Sequence, residues 1–219
     1  MTIRGKLKIY FGYSVGVGKT YSMLKDAHQE MRSGVDVVVG YIKPDTNRET
    51  IELVEGLEVL PAKIVTSEKG MAYEFNLEGA LLRKPKLILV DEMAHSNAAG
   101  SKHEKRYLDI EELLAAGINV YTTLNAQQVE SLSESVTEIL KNPIKESISD
   151  FAFDFAERVE FVDIEPVELI KRFKEGKIFN IEKTDKITRN VFRKKNLDRL
   201  RELSINRTKD RIDKVCNWY

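Results

Sequence analysis

A chain of 219 residues can bury about 70% of its unfolded surface, and its 35 basic and 35 acidic side chains leave no net charge. Its single cysteine, Cys216, excludes an internal disulfide framework and a cysteine metal cluster, which suits a reducing, cytoplasmic setting. Nowhere do roughly 20 apolar residues run together, and the N-terminus meets a glycine loop too soon for a signal peptide, so the sequence predicts a soluble chain.

The run from Lys6 to Phe11 (KLKIYF) predicts a strand that stops at Gly12. From Lys19 the spacing changes: Thr20, Met23, Leu24, Ala27 and Met31 recur every three or four residues, predicting a helix that ends at Gly34. The apolar run in Asp36 to Tyr41 (DVVVGY) suits a parallel strand buried on both faces. A short helix is expected over Glu49 to Val54 and a strand over Lys63 to Val65. Asn76 is placed to cap a helix reaching Arg83, with Gly79 as its weak point.

Lys86 to Val90 (KLILV) predicts a buried strand that ends in Asp91. Glu104 to Ala116 reads as a helix stopped by Gly117, and Asn119 to Thr123 as the next strand. This alternation predicts an α/β fold with a mainly parallel sheet flanked by helices. Farther on, Glu157 to Asp163 reads as a strand and Pro166 to Lys174 as a helix, with proline in its first turn. A long charged helix follows over Asn196 to Val215, its apolar stripe being Leu197, Leu200, Leu203 and Ile212. The expected division is a body over residues 1–170 and a basic, mainly helical extension over 171–219, packed on the same domain.

Charge is unevenly spread. Lys171 to Lys214 holds 16 basic against 7 acidic residues, leaving 19 against 28 elsewhere. Such a segment can meet acidic partners or an anionic membrane surface, or lie as solvated helices on an acidic body.

Gly12-Tyr-Ser-Val-Gly-Val-Gly-Lys-Thr20 sits between predicted strand and predicted helix, the setting a phosphate-binding P-loop needs. Glycines let successive N–H groups turn inward around phosphate oxygens, and a helix N-terminus favours negative charge. Gly12, Gly16, Val17, Gly18, Lys19, Thr20 and Tyr21 are the candidate nucleotide contacts here. Lys19 would serve the outer phosphates, and Thr20 would offer its hydroxyl to Mg²⁺. The usual G-x-x-x-x-G-K-[ST] pattern would put its first glycine at Tyr13, whereas this chain has it at Gly12.

Asp91 and Glu92 close the strand KLILV. In a P-loop fold this strand is expected beside the first one, bringing Asp91 to Thr20 and the metal. Glu92 could then activate a water as general base. The plainer reading makes Asp91 a turn residue and Glu92 a helix cap. His95, Ser96 and Asn97 follow in a loop at the carboxyl end of a strand, where ligands of open α/β sheets bind. Asn125 stands after the next strand and could sense a terminal phosphate or cap a helix at Ala126. His103-Glu104-Lys105-Arg106 imitates the start of a histidine-kinase phosphoacceptor helix, but the threonine and proline that should follow are absent. Scattered histidines give no metal site, and no N-K-x-D string supports guanine specificity.

The runs GKLKIYFGYSVGVGKTYSML, DVVVGY, ETIELVEGLEVLP, LVDEMAHSNAAGSKHEKRYLDIEELLAAGINVYTTLN and FRKKNLDRLRELSINRT together resemble one family. It is the N-terminal cytoplasmic domain of the Kdp-system potassium and turgor sensor kinases (KdpD), and the likeness covers Gly5 to Asp213. The resemblance implies a P-loop NTPase-like fold and an ATP- and Mg²⁺-binding regulatory module. It would act on a histidine-kinase core or other sensor domains, in cis or trans, at the cytoplasmic face of the membrane, with no nucleic-acid partner. An ATPase using Glu92 is the alternative, and a nucleotide-independent scaffold docking through the basic segment is a third class.

Where the family commonly has Glu-x-His-Gly-Arg, this chain has Lys43-Pro44-Asp45-Thr46-Asn47, so ligand contacts made by those family residues do not carry over. Val15, Ala99 and Glu104 are further departures. Full-length sensors of the family continue into membrane helices and a kinase core; a fragment and a stand-alone regulatory domain both stay open.

Overall fold

A computed structural model describes residues 3–44, 46–67, 70–179 and 185–216. In chain order its strands are β1 (Leu7–Gly12), β2 (Val37–Tyr41), β3 (Glu58–Val59), β4 (Lys63–Ser67), β5 (Gly70–Glu74), β6 (Leu87–Val90), β7 (Asn119–Asn125) and β8 (Arg158–Phe161). The helices are α1 (Lys19–Arg32), α2 (Arg48–Ile51), α3 (Leu77–Arg83), α4 (Arg106–Ala115), α5 (Ser133–Leu140), α6 (Asp150–Asp154), α7 (Pro166–Lys174), α8 (Lys186–Val191) and α9 (Lys194–Cys216).

Six strands form one sheet in the order β3-β2-β6-β7-β1-β8. β2 runs parallel to β3 and β6, and β6 parallel to β7, giving the expected mainly parallel α/β arrangement. One expectation needs correcting. β6 does not lie beside β1, because β7 stands between them. A second departure is β4–β5, an antiparallel pair in a sheet of its own, of which only β4 was legible. Among the described residues no helix is long and apolar enough to cross a membrane.

The chain divides into two compact units. The first comprises Met1–Tyr10, Thr20–Thr123 and Ala156–Arg158. Its core joins Ile9, Val38, Ile88, Leu89 and Val120 of the strands with Met23, Leu24 and Ala27 of α1 and Ile110 and Leu113 of α4, all fully buried. The predicted turn residues act as expected: Gly34 and Gly117 both take positive φ just beyond α1 and α4. Gly79 is not a weak point. The Asn76 side chain accepts the Gly79 N–H at 2.9 Å, and a Cβ there would come within 2.7 Å of the Asn76 amide, so the glycine gives the cap its room.

The second unit comprises Phe11–Lys19, Leu124–Phe155 and Val159–Tyr219. Phe11 meets Phe153 edge-on at 4.9 Å, and Leu169 of α7 and Leu197 and Leu200 of α9 are buried. The inner stripe of α9 differs from the apolar one expected. Ile212 is 52% exposed, while Ser204, Arg207 and Arg211 continue the buried line begun by Leu197 and Leu200. Arg207 is admitted because α6 supplies Asp150 at 2.9 Å and Asp154 at 2.6 Å, and its guanidinium lies 4.5 Å from the Phe153 ring centre. The end of the expected extension, residues 217–219, falls outside the described residues.

Candidate functional site

The loop after β1 belongs to the second unit. Its three glycines serve different needs. A Cβ on Gly12 would meet Val17 Cγ2 at 2.6 Å and Lys19 Cδ at 3.2 Å, so Gly12 answers to space. Gly16 and Gly18 have φ of +86° and +105°, backbone that side chains rarely tolerate. Tyr13 stands where the usual pattern has its first glycine. Its ring is buried and its hydroxyl donates to Ile164 O at 3.0 Å. Burial, with Asp163 adding to it, pushes this phenol far above its usual range and keeps it a donor.

Lys19 is also buried. Its ammonium donates to Ser14 O at 2.9 Å and to Asn125 Oδ1 at 2.6 Å. The Asn125 N–H donates to Gln128 Oε1 at 3.0 Å at the start of a 3₁₀ turn over Ala126–Gln128. Asn125 thus serves the turn with its backbone and Lys19 with its side chain. Ser14 Oγ is buried with no hydrogen-bond partner, which is uncommon for a hydroxyl and points to a ligand oxygen that would satisfy it. Val17 is buried over Gly12, so only its backbone remains for a ligand.

The acidic corner belongs to the first unit. Asp91 is 2% exposed and accepts from Thr20 Oγ1 at 3.2 Å, from Glu92 N at 3.1 Å and from Thr123 Oγ1. Threonine and aspartate therefore meet despite the strand between β6 and β1, because Asp91 stands beyond the end of β6. Glu92 carries φ of +60°, left-handed backbone that is costly for a residue with a side chain and tends to persist at functional sites. Thr123 Oγ1 helps hold it there by accepting the Glu92 N–H at 3.1 Å. The Glu92 carboxylate receives the Lys43 ammonium at 3.0 Å. Lys43 is the first residue of the segment that departs from the family pattern; Asp45 of that segment lies outside the described residues. Tyr21, on the first turn of α1, is 41% exposed with the Lys25 ammonium 5.8 Å from its ring centre.

Behind Asp91 lies a buried polar cluster that sequence reading missed. Arg106 has no exposed surface. It donates to Asp91 O at 3.2 Å and to Glu74 Oε2 at 2.8 Å, and its guanidinium stacks 3.9 Å from the Tyr41 ring centre. Glu74 also accepts the Ala98 N–H at 2.8 Å and meets His95 Nε2 at 3.2 Å. Burial alone would raise the Glu74 carboxyl; the bonds from His95 and Ala98 and the nearby charges of His95 and Arg106 hold it below the usual range. Asn97 donates to Asp109 Oδ2 at 2.7 Å, and His103 Nε2 lies 2.8 Å from Glu112 Oε2. The false phosphoacceptor string is thus structural, its arginine being the buried anchor.

Among the described residues no group of three or more His, Cys, Asp or Glu could hold a metal unaided. Thr20 and Asp91 fit Mg²⁺ in the way that ion is usually held, through one carboxylate, a hydroxyl and ligand phosphates. A cavity of about 280 Å³ lies elsewhere in the first unit, where Leu7, Leu87 and Asn119 begin their strands; it is lined by Lys6, Lys8, Glu30 and Arg158 and contains none of these site residues.

The model of the osmosensitive K⁺ channel His kinase sensor domain family (KdpD) matches residues 3–212. The sensor protein KdpD of Clostridium acetobutylicum is 50% identical over 210 residues, which is 96% of this chain and 23% of that protein. Its counterpart in Escherichia coli is 46% identical over 96% of this chain and 24% of its own length. That of Mycobacterium tuberculosis is 41% identical over 93% of this chain and 24% of its own length. The chain therefore spans about a quarter of the length of these curated relatives.

Proposed function

The chain belongs to the KdpD family of osmosensitive K⁺ channel His kinase sensor domains, and on that premise we propose that it is an ATP-binding regulatory module of potassium-responsive two-component signalling. The observation that carries the reading is the loop itself: a glycine turn whose Lys19 ammonium reaches back to Ser14 O and whose Ser14 hydroxyl is buried with no hydrogen-bond partner. In this P-loop NTPase-like reading, N–H groups of Gly16, Val17 and Gly18 take phosphate oxygens. Lys19 exchanges Ser14 O and Asn125 for the outer phosphates. Thr20 and Asp91 hold Mg²⁺, which neutralises phosphate charge when bound.

Regulation requires a ligand that favours one arrangement of the protein over another. The segment from Met93 to His103 is the candidate responder, since it follows the metal-side carboxylate directly. Its arrangement would be read by a histidine-kinase core or another sensor domain, in cis or in trans, on the cytoplasmic side of the membrane. Calorimetry of MgATP with the wild type and Lys19→Ala tests the binding: equal affinity in both sinks the reading.

The left-handed backbone at Glu92 favours a second reading, an ATPase in which this carboxylate activates water. Its ion pair with Lys43 argues the other way, because the carboxylate is already engaged by an ammonium at 3.0 Å. Steady phosphate release abolished by Glu92→Gln supports hydrolysis; release equal to that of buffer removes it.

A further inference from the structure

The second unit places an arginine against the glycine loop. Arg172 lies in the last turn of α7, where the helix dipole favours a cation. The backbone there is fixed. Gly176 N donates to Phe173 O at 3.1 Å and Lys177 N to Arg172 O at 3.0 Å, with Gly176 at φ +70° closing the helix. Phe173 stacks on Phe192 with ring centres 4.2 Å apart and planes 8° from parallel. Ile178 presses on the loop itself, its Cδ1 being 2.4 Å from where a Cβ on Gly16 would stand.

The guanidinium is held far less firmly than this backbone. Arg172 Nη1 reaches Gly16 O at 3.5 Å, the outer limit of a hydrogen bond, and Nε stands 3.8 Å from Glu168 Oε1. An arginine carries five donors in a planar fork suited to two oxygens of one phosphate. Here that fork touches a mid-loop carbonyl at long range and is part exposed. Contrast Arg207 in the same unit, whose fork is buried on two carboxylates.

We propose that Arg172 is a phosphate-binding residue supplied in cis, leaving Gly16 O to clamp the outermost phosphate held by the loop. The inference rests on the nucleotide reading only for the identity of the ligand; it concerns the polyphosphate. The Arg172 side chain already meets the loop at Gly16 O. An oxygen-rich terminal phosphate offers a bidentate, charge-assisted pair in place of one long bond to a neutral carbonyl. ATP should therefore benefit more than ADP.

The test is calorimetry on the whole chain with magnesium tripolyphosphate, MgATP and MgADP, for the wild type, Arg172→Ala, Arg172→Lys and Lys19→Ala, beside thermal melts. The expected result is about a tenfold loss of tripolyphosphate and MgATP affinity in Arg172→Ala, a smaller loss for MgADP, and partial rescue by Arg172→Lys, with melts unchanged. Should Arg172→Ala melt early, Arg172→Gln keeps the stem and is held to the same result. Wild-type affinity in Arg172→Ala alongside a loss in Lys19→Ala overturns the inference and leaves the nucleotide reading standing. Arg172-dependent tripolyphosphate binding with no MgATP binding overturns the nucleotide reading and supports the arginine. No binding of any probe overturns both.

Discussion

The glycine loop buries one charged side chain, Lys19, and the acidic corner buries Glu74, Asp91 and Arg106, and the two secure that charge differently. In the loop, Lys19 donates to a carbonyl and an amide oxygen, both neutral, and glycine conformations set the backbone. In the corner, Arg106 is locked to the Glu74 carboxylate and stacked on Tyr41, and Lys43 is paired with Glu92. An ammonium bonded to neutral oxygens leaves no opposite charge behind when it is removed, whereas breaking a buried ion pair strands its partner. Substitutions in the loop should therefore register mainly in ligand binding, and substitutions behind the corner mainly in stability.

The largest effect that would test this contrast is Arg106→Met. Leaving Glu74 buried without its guanidinium partner, with only His95 and the Ala98 N–H remaining, should cost about 3–5 kcal/mol of unfolding free energy, measured by urea titration. Adding Glu74→Leu to the same chain should recover part of the loss, because well-packed apolar replacements of buried pairs are often tolerated. An Arg106→Met loss below about 1 kcal/mol, the range of a surface pair, would break the comparison. Lys19→Ala comes next. A charged hydrogen bond is worth roughly 1.5–3 kcal/mol, so MgATP affinity should fall by about 10- to 100-fold while the urea midpoint of the unliganded protein moves little.

The same contrast governs what could be read from the sequence. The glycine turn between β1 and α1 was legible because its glycines, lysine and threonine lie within nine residues. Strands β1, β2, β6 and β7 were legible from their apolar runs, but their order was not: nothing in KLILV says that β7 will separate it from β1. The corner's supports were illegible because their partners are distant along the chain. Glu74 precedes Arg106 by 32 residues and Lys43 precedes Glu92 by 49, with no periodicity to join them. β5 was missed because GMAYE has neither strict alternation nor a long apolar run. On α9, helical spacing nominated Ile212, whereas Arg211 beside it turns inward and Arg207 is drawn in by carboxylates more than 50 residues earlier.

A smaller effect concerns acid. Glu74 titrates below the ordinary carboxylate range when folded, so the folded state binds fewer protons than the unfolded one in that window. Its contribution is complete above the unfolded value near 4.3 and is lost as pH falls through the lowered folded value. Glu74→Gln should flatten that part of the acid limb in melting experiments run across pH 2–6. An unchanged limb would mean that Glu74 does not anchor the corner through its charge.

The smallest effect separates support from site. Lys43 and Glu92 are 45% and 30% exposed, so their ion pair should contribute only about 0–1 kcal/mol. Lys43→Ala should leave the urea midpoint almost unchanged, unlike Arg106→Met, although both remove a cation that faces a carboxylate in the same unit. What it should change is the freedom of the Glu92 carboxylate. If the ammonium keeps that carboxylate from a water, Lys43→Ala should raise phosphate release from MgATP, and adding Glu92→Gln should cancel the rise. A rise that survives Glu92→Gln would place the base elsewhere. No rise at all, with MgATP still bound, would leave the corner as a metal-side support for a loop that binds nucleotide without hydrolysing it.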